Sequence, residues 1–162
     1  MPDLDHEQPG VMIATSLLID DQMCFALYAA SRSVTAVYRP LLESLGLTYP
    51  QYLVMLVLWR AEAVTIKQIS TVLRLDYGTL TPLLKRLELL GYLRRQRRVS
   101  DERTVEVTVT ESGAALREKA AGIPAEISRA LGLDAEHTAA LRDLLRAVST
   151  NTARYLDSAH QD

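Results

Sequence analysis

The sequence predicts a mainly helical fold with one small β-hairpin. Helix formers (Leu, Ala, Glu, Arg) dominate, and aromatic residues make up only 6% of the chain. Apolar residues recur at spacings of three and four through most of it, and a clear period of two is confined to a short stretch past the middle. The length of 162 residues suits one compact protomer, and 48% hydrophobic with 23% charged residues is a globular composition.

Taken in order, residues 1–14 are polar, contain Pro2, Pro9 and Gly10, and read as a flexible N-terminal arm. Residues 15–47 form a first helical region. Asp20 or Asp21 is expected to cap its helix, with Ile19 and Cys24 at the two ends of a hydrophobic staple. Gly46 is the expected stop, and Pro40 a possible kink. The stretch MCFALYAA is apolar nearly all round, a pattern that asks for cover on several sides, including from a second subunit.

Residues 48–110 form the second region. Thr48-Tyr49-Pro50-Gln51 and Thr65-Ile66-Lys67-Gln68 both have the capping-box form. The first opens a core helix containing Met55 and Trp59. The second opens a short helix with Ile66, Ile69, Val72 and Leu73 facing inward. Asp76 is the predicted cap of a longer helix whose apolar face is Leu80, Leu83, Leu84, Leu87 and Leu90, ended by Gly91. Pro82 predicts an irregular first turn or a slight bend. Residues 92–98 and 104–109 then read as strands, Val105, Val107 and Val109 alternating with Glu106 and Thr108, and residues 99–103 as the tip. In residues 111–162 the predicted helices are one over about 110–131, bent near Gly122 and Pro124, and a last one capped by Asp134.

Two short helices, a tight turn and a basic hairpin describe a winged helix-turn-helix. Seven basic and three acidic side chains give residues 85–103 a charge of +4, so −6 lies on the rest of a chain whose total is −2. The start of the second helix would present Tyr77, Thr79 and Thr81 to base edges. Lys85, Arg86, Arg97, Arg98 and Arg103 would meet phosphates or the minor groove of double-stranded DNA. The plainer alternative is a solvated charged face, with Asp101 and Arg103 pairing only to hold the wing's tip.

Other chemistries have little support. One cysteine, Cys24, excludes an internal disulfide framework, and the three histidines are scattered, so no metal or cofactor site is predicted. No carboxylate cluster or peroxidase-type loop suggests an enzyme. No membrane span or secretory signal is apparent, and a cytoplasmic protein is expected.

The segments DYGTLTPLLKRLELLGYLRR and DERTVEVTVTESG resemble the recognition helix and wing of the MarR regulators. LLIDDQMCFALYAASR and TYPQYLVMLVLW are similar to the one-cysteine class of organic hydroperoxide resistance regulators. The resemblance covers about residues 15–158. It implies a homodimeric transcriptional repressor, with helices from both termini forming the dimer. Cys24 would be the redox-sensing residue, and Tyr38 and Tyr49 would donate hydrogen bonds to its sulfur from the partner subunit. Tyr28 would be a nearby tyrosine responding to oxidation. Tyr77 departs from the pattern, standing where many relatives have a small residue.

Elementary chemistry bears on these assignments. Peroxide reacts with thiolate rather than thiol. Cys24 and Tyr28 share a helix face, whereas Tyr38, fourteen residues on, lies about 21 Å further along a straight helix. Contact between Tyr38 and the sulfur therefore requires a second chain or a broken helix, and the resemblance selects the dimer. Met23, Phe25 and Leu27 are the expected apolar surroundings of an organic hydroperoxide. A low-molecular-weight thiol would cap the oxidised sulfur, since no second cysteine exists. The alternative is a repressor relieved by non-covalent binding of a small aromatic or lipophilic ligand, with Cys24 a buried structural residue and the tyrosines core aromatics.

Overall fold

The computed structural model describes residues 17–98 and 101–159, with the side chains of residue 98 and residues 101–103 left out. The expected N-terminal arm and the contributions of the Arg98, Asp101 and Arg103 side chains lie outside what is described. Among these residues seven α-helices run α1 (Met23–Glu43), α2 (Tyr49–Leu58), α3 (Ile66–Leu73), α4 (Tyr77–Leu89), α5 (Glu111–Ala120), α6 (Ile123–Leu131) and α7 (Ala135–Ala159). Three strands, β1 (Val64–Thr65), β2 (Leu93–Arg98) and β3 (Asp101–Val109), form an antiparallel sheet in the order β1-β3-β2. No helix among the described residues is long and apolar enough to cross a membrane.

The entry to α1 differs from expectation. Ile19–Asp21 is a 3-10 turn, and the capping position falls on Gln22, whose side chain makes no capping bond. The two aspartates are used up in the turn, which also removes the expected staple between Ile19 and Cys24. The exit is as predicted. Gly46 has φ +65°, the Leu47 N–H donates to the Leu42 carbonyl at 3.2 Å and the Gly46 N–H to that of Glu43 at 3.0 Å, a left-handed helix stop that glycine adopts without strain. Pro40 lies inside α1 without ending it.

Caps fix most other starts. The Thr48 and Thr65 N–H groups donate to Gln51 and Gln68 Oε1 at 2.9 and 2.8 Å, the Thr79 N–H to Asp76 Oδ1 at 2.8 Å, and the His137 N–H to Asp134 Oδ1 at 2.8 Å. Despite Pro82, α4 is one helix from Tyr77 onward, and the irregular first turn is not seen. The predicted helix over 110–131 is two helices, broken at Ala121 and Gly122. The wing strand β3 starts at Asp101, earlier than expected, and β1, too short to show a period, was not anticipated.

The core gathers Leu42 from α1 and Leu45 and Leu47 from the turn after it with Val54, Met55 and Leu58, Ile69, Leu80, Leu84 and Leu87, Leu93 and Val107, and Leu116 and Ile123. Val72, expected inside, is exposed. The first half of α1 and all of α7 contribute no buried side chain. Met23, Phe25, Tyr28, Leu144, Leu145 and Tyr155 all stand exposed there.

Three hydrogen bonds tie the base of the wing to the helical body. The Thr110 N–H donates to the Tyr92 carbonyl at 3.1 Å, the Thr110 hydroxyl to the Gly91 carbonyl at 2.6 Å, and the Trp59 indole N–H to the Gly113 carbonyl at 2.8 Å. A Cβ on Gly113 would lie 2.0 Å from the Tyr92 oxygen and 2.8 Å from Val109 Cγ2, so only glycine fits. Gly113→Ala is expected to lower stability by about 3 kcal/mol or more in urea unfolding. Gly122→Ala, at an ordinary φ of −78° with open space around it, should be neutral or stabilising by up to about 1 kcal/mol.

Candidate functional site

Cys24 is the second residue of α1 and is exposed in the protomer. Tyr28, one turn on, is also exposed. Its hydroxyl accepts from Arg32 Nη1 at 3.2 Å, and the same guanidinium lies 5.6 Å from its ring centre. Tyr38 and Tyr49 are found together elsewhere, with ring centres 4.5 Å apart. Tyr52 joins them 5.8 Å from Tyr38, and Trp59 follows 6.2 Å from Tyr52. Burial, with Tyr49 and Tyr52 nearby, pushes the Tyr38 phenol up to about 12, and burial also raises Tyr49. Both therefore stay protonated at neutral pH and keep an O–H to donate.

The fold thus brings Tyr38 and Tyr49 together and leaves Cys24 and Tyr28 at the other end of a continuous helix. Of the three expected pocket residues, half-buried Leu27 lines an open groove of about 750 Å³, which Val34, Leu141 and Leu145 also line. Met23 and Phe25 are exposed on α1 outside that lining.

The second element of the candidate site is the start of α4. The turn before it is fixed by Arg74 in the left-handed conformation (φ 53°) and by the Ser70 hydroxyl donating to the Leu75 carbonyl at 2.7 Å. Tyr77, Thr79, Thr81, Lys85 and Arg86 are all exposed along α4, and Arg97 is exposed on β2. The Thr79 hydroxyl donates to Asp76 Oδ2 and the Thr81 hydroxyl to the Tyr77 carbonyl, both at 2.7 Å. The Thr79 hydroxyl and N–H hold the Asp76 carboxyl below its ordinary range.

One basic wing residue is occupied within the protein. Arg95 Nη2 and Nε lie 2.5 and 2.9 Å from Glu88 Oε2, and the Arg95 N–H donates to Oε1 at 3.1 Å. This fork fastens β2 to the last turn of α4. Residue types alone did not single it out, because the two residues lie seven apart across the Gly91 turn. Trp59, expected only in a core helix, also donates its indole N–H to the Gly113 carbonyl. A glutamate ending the longer helix just ahead of an arginine-rich strand was the available signal.

A helix-turn-helix followed by a three-stranded wing is the architecture of a winged-helix regulator, and comparisons with known proteins agree. A family model described as transcriptional regulator SarA/Rot matches residues 36–120. An organic hydroperoxide resistance transcriptional regulator of Bacillus subtilis (strain 168) is 46% identical over 143 residues, 88% of this chain and 92% of that protein. Reduced AbfR bound to DNA superposes with a TM-score of 0.71 at 34% identity, covering 83% of this chain and 94% of that one. Wild-type MarR in its apo form from E. coli gives a TM-score of 0.64 at 26% identity, covering 78% and 96%. The chain belongs to the MarR-type winged-helix transcriptional regulators, and within them to the organic hydroperoxide resistance group.

The Glu88–Arg95 fork has a pH signature. Hydrogen bonds from the Arg95 side chain, then from its N–H, hold the Glu88 carboxyl below its ordinary value. A lowered folded-state value adds stability that is complete above the unfolded-state value and is lost as pH falls through the folded one. Glu88→Gln should therefore lower the urea midpoint at pH 7, modestly because both side chains are about a third exposed. The gap from the parent should narrow as the pH drops below the ordinary glutamate range.

Proposed function

We propose that the protein is a homodimeric repressor that binds operator DNA when Cys24 is reduced and leaves it when an organic hydroperoxide oxidises Cys24. The observation that carries this reading is the separation on α1. An accessible sulfur stands at one end, and two protonated phenols with touching rings stand at the other. Within one chain Cys24 and Tyr38 lie about 21 Å apart along the axis of α1. A partner packed antiparallel along the exposed faces of α1 and α7 brings each sulfur to the other chain's Tyr38 and Tyr49. These apolar faces have no cover within the described residues of the protomer.

The chemistry then follows. The start of a helix favours an anionic sulfur, and phenol O–H donors favour it further. The thiolate attacks the terminal oxygen of the hydroperoxide, the O–O bond breaks, and the alkoxide leaves and takes a proton to become an alcohol. Cys24 is left as sulfenic acid. A low-molecular-weight thiol condenses with it, forming a mixed disulfide and releasing water. The added bulk and the loss of the tyrosine bonds strain the antiparallel contact and change the spacing of the two α4 helices, which must match one turn of DNA. Leu27 and its groove offer an apolar approach, which favours alkyl or lipid hydroperoxides over hydrogen peroxide. On α4 and the wing, Lys85, Arg86, Arg97, Arg98 and Arg103 neutralise phosphates while Tyr77, Thr79 and Thr81 face base edges. Asp101 supports the wing.

The same groove gives some support to relief by a non-covalently bound lipophile. Operator binding with and without cumene hydroperoxide, then after dithiothreitol, separates the two. Parent protein should lose operator affinity on oxidation and regain it on reduction, with the adduct on Cys24 seen by intact mass. Cys24→Ser should stay bound throughout. Release of Cys24→Ser by the same treatment, or recovery of the parent on dilution alone, would remove Cys24 from the mechanism.

A further inference from the structure

We propose that Tyr77 is the specificity-determining donor of this protein, selecting a purine at one base pair of each operator half-site. The inference rests on the DNA-binding reading and concerns which residue chooses the sequence.

The reasoning starts from hydroxyl protons. Three polar side chains face outward over the first two turns of α4, those of Tyr77, Thr79 and Thr81. Thr79 and Thr81 each have one O–H, and each is engaged inside the helix. The acceptors are a carboxylate and a carbonyl, neither of which can donate back, so the direction of both bonds is fixed. Toward DNA these two residues therefore offer only oxygen lone pairs and methyl groups. Those suit adenine N6, cytosine N4 or the thymine methyl.

Tyr77 is different. It is the first residue of α4, 54% exposed, and its phenol has no partner among the described residues. Its backbone carbonyl accepts from Thr81, so the start of the helix is held while the ring stays outside it. Gly78 beside it places no side chain against the ring. A Cβ there would lie 3.0 Å from Asp76 Oδ1 and press on the cap. Tyr77 thus supplies the unengaged O–H at the reading end, on its longest side chain. A lone donor in the major groove seeks an acceptor, and purine N7 is the outermost one. Lys85 and Arg86 lie two turns further on, where they suit phosphates.

The test selects duplexes from a randomised pool with the full-length reduced protein, Tyr77→Phe and Tyr77→Ser. Affinity for the parent's best duplex is then measured at two salt concentrations. The parent should require a purine at one position per half-site. Tyr77→Phe, keeping the ring and losing the donor, should shift that position toward thymine. It should bind the parent duplex about fivefold more weakly, the worth of one ordinary hydrogen bond. The salt dependence should be unchanged, because no phosphate contact is lost. Tyr77→Ser should lose the purine preference as well. Selection of the parent's sequence by both variants, or a uniform loss across all duplexes, overturns the proposal. A parent protein that selects no sequence overturns the DNA-binding reading itself, a failure seen before any variant is compared.

Discussion

The length of α1 is the constraint from which the rest follows. It is a single 21-residue helix, uninterrupted at Pro40 and locked at its end by the turn around Gly46. A helix of this kind is a rod, and it holds Cys24 and Tyr38 apart with no freedom to fold back. A site that needs both is complete only when two chains lie antiparallel. An isologous dimer then has two equivalent composite sites, each with a sulfur from one chain and phenols from the other. The exposed apolar residues at the start of α1 and along α7 are what such an arrangement requires. In a monomer they would be a standing cost in water.

The aromatic residues give this end of the fold physical continuity with the wing. Tyr49, Tyr38, Tyr52 and Trp59 touch in succession, and the Trp59 indole N–H ends on the Gly113 carbonyl. Gly113 in turn has no room for a methyl group beside Tyr92, where α4 has just given way to β2. A contiguous run of ring contacts thus leads from Tyr38 and Tyr49 to the base of the wing. The Glu88–Arg95 fork adds a second tie at the same junction, between β2 and the last turn of α4.

Much of this was legible in the residues, for reasons that differ from element to element. Caps announce themselves because a threonine or aspartate before an apolar run has one strong local use, and Thr48, Thr65, Asp76 and Asp134 all cap their helices. Asp20 and Asp21 failed as caps because a 3-10 turn used them first, a choice between two local geometries that composition does not decide. Pro82 lies inside α4 without breaking it, and Val72 keeps the period of a buried face while standing in solvent. At the candidate site, Cys24 and the tyrosines came from family likeness and helix arithmetic. The Trp59–Gly113 bond and the Glu88–Arg95 fork join residues from different elements, which no period or spacing reveals.

The distribution of charge separates two tasks that are often merged. The +4 segment over residues 85–103 sits on a remainder carrying −6, so a polyanion is attracted to the wing and repelled by the body. Arg95 is withdrawn from that attraction by Glu88. Its role is to aim the strand that carries the other arginines. On the proposed reading, grip on the backbone would rest on lysine and arginine contacts that weaken with salt, and choice of sequence on uncharged hydroxyls and methyls at the start of α4 that do not. Asp76 and the Tyr77 carbonyl accept the two threonine hydroxyl protons and so orient both side chains within the protein itself. A motion that re-spaces the two α4 helices of a dimer would cost the grip first, since each half-site reader would remain intact but out of step with its twin.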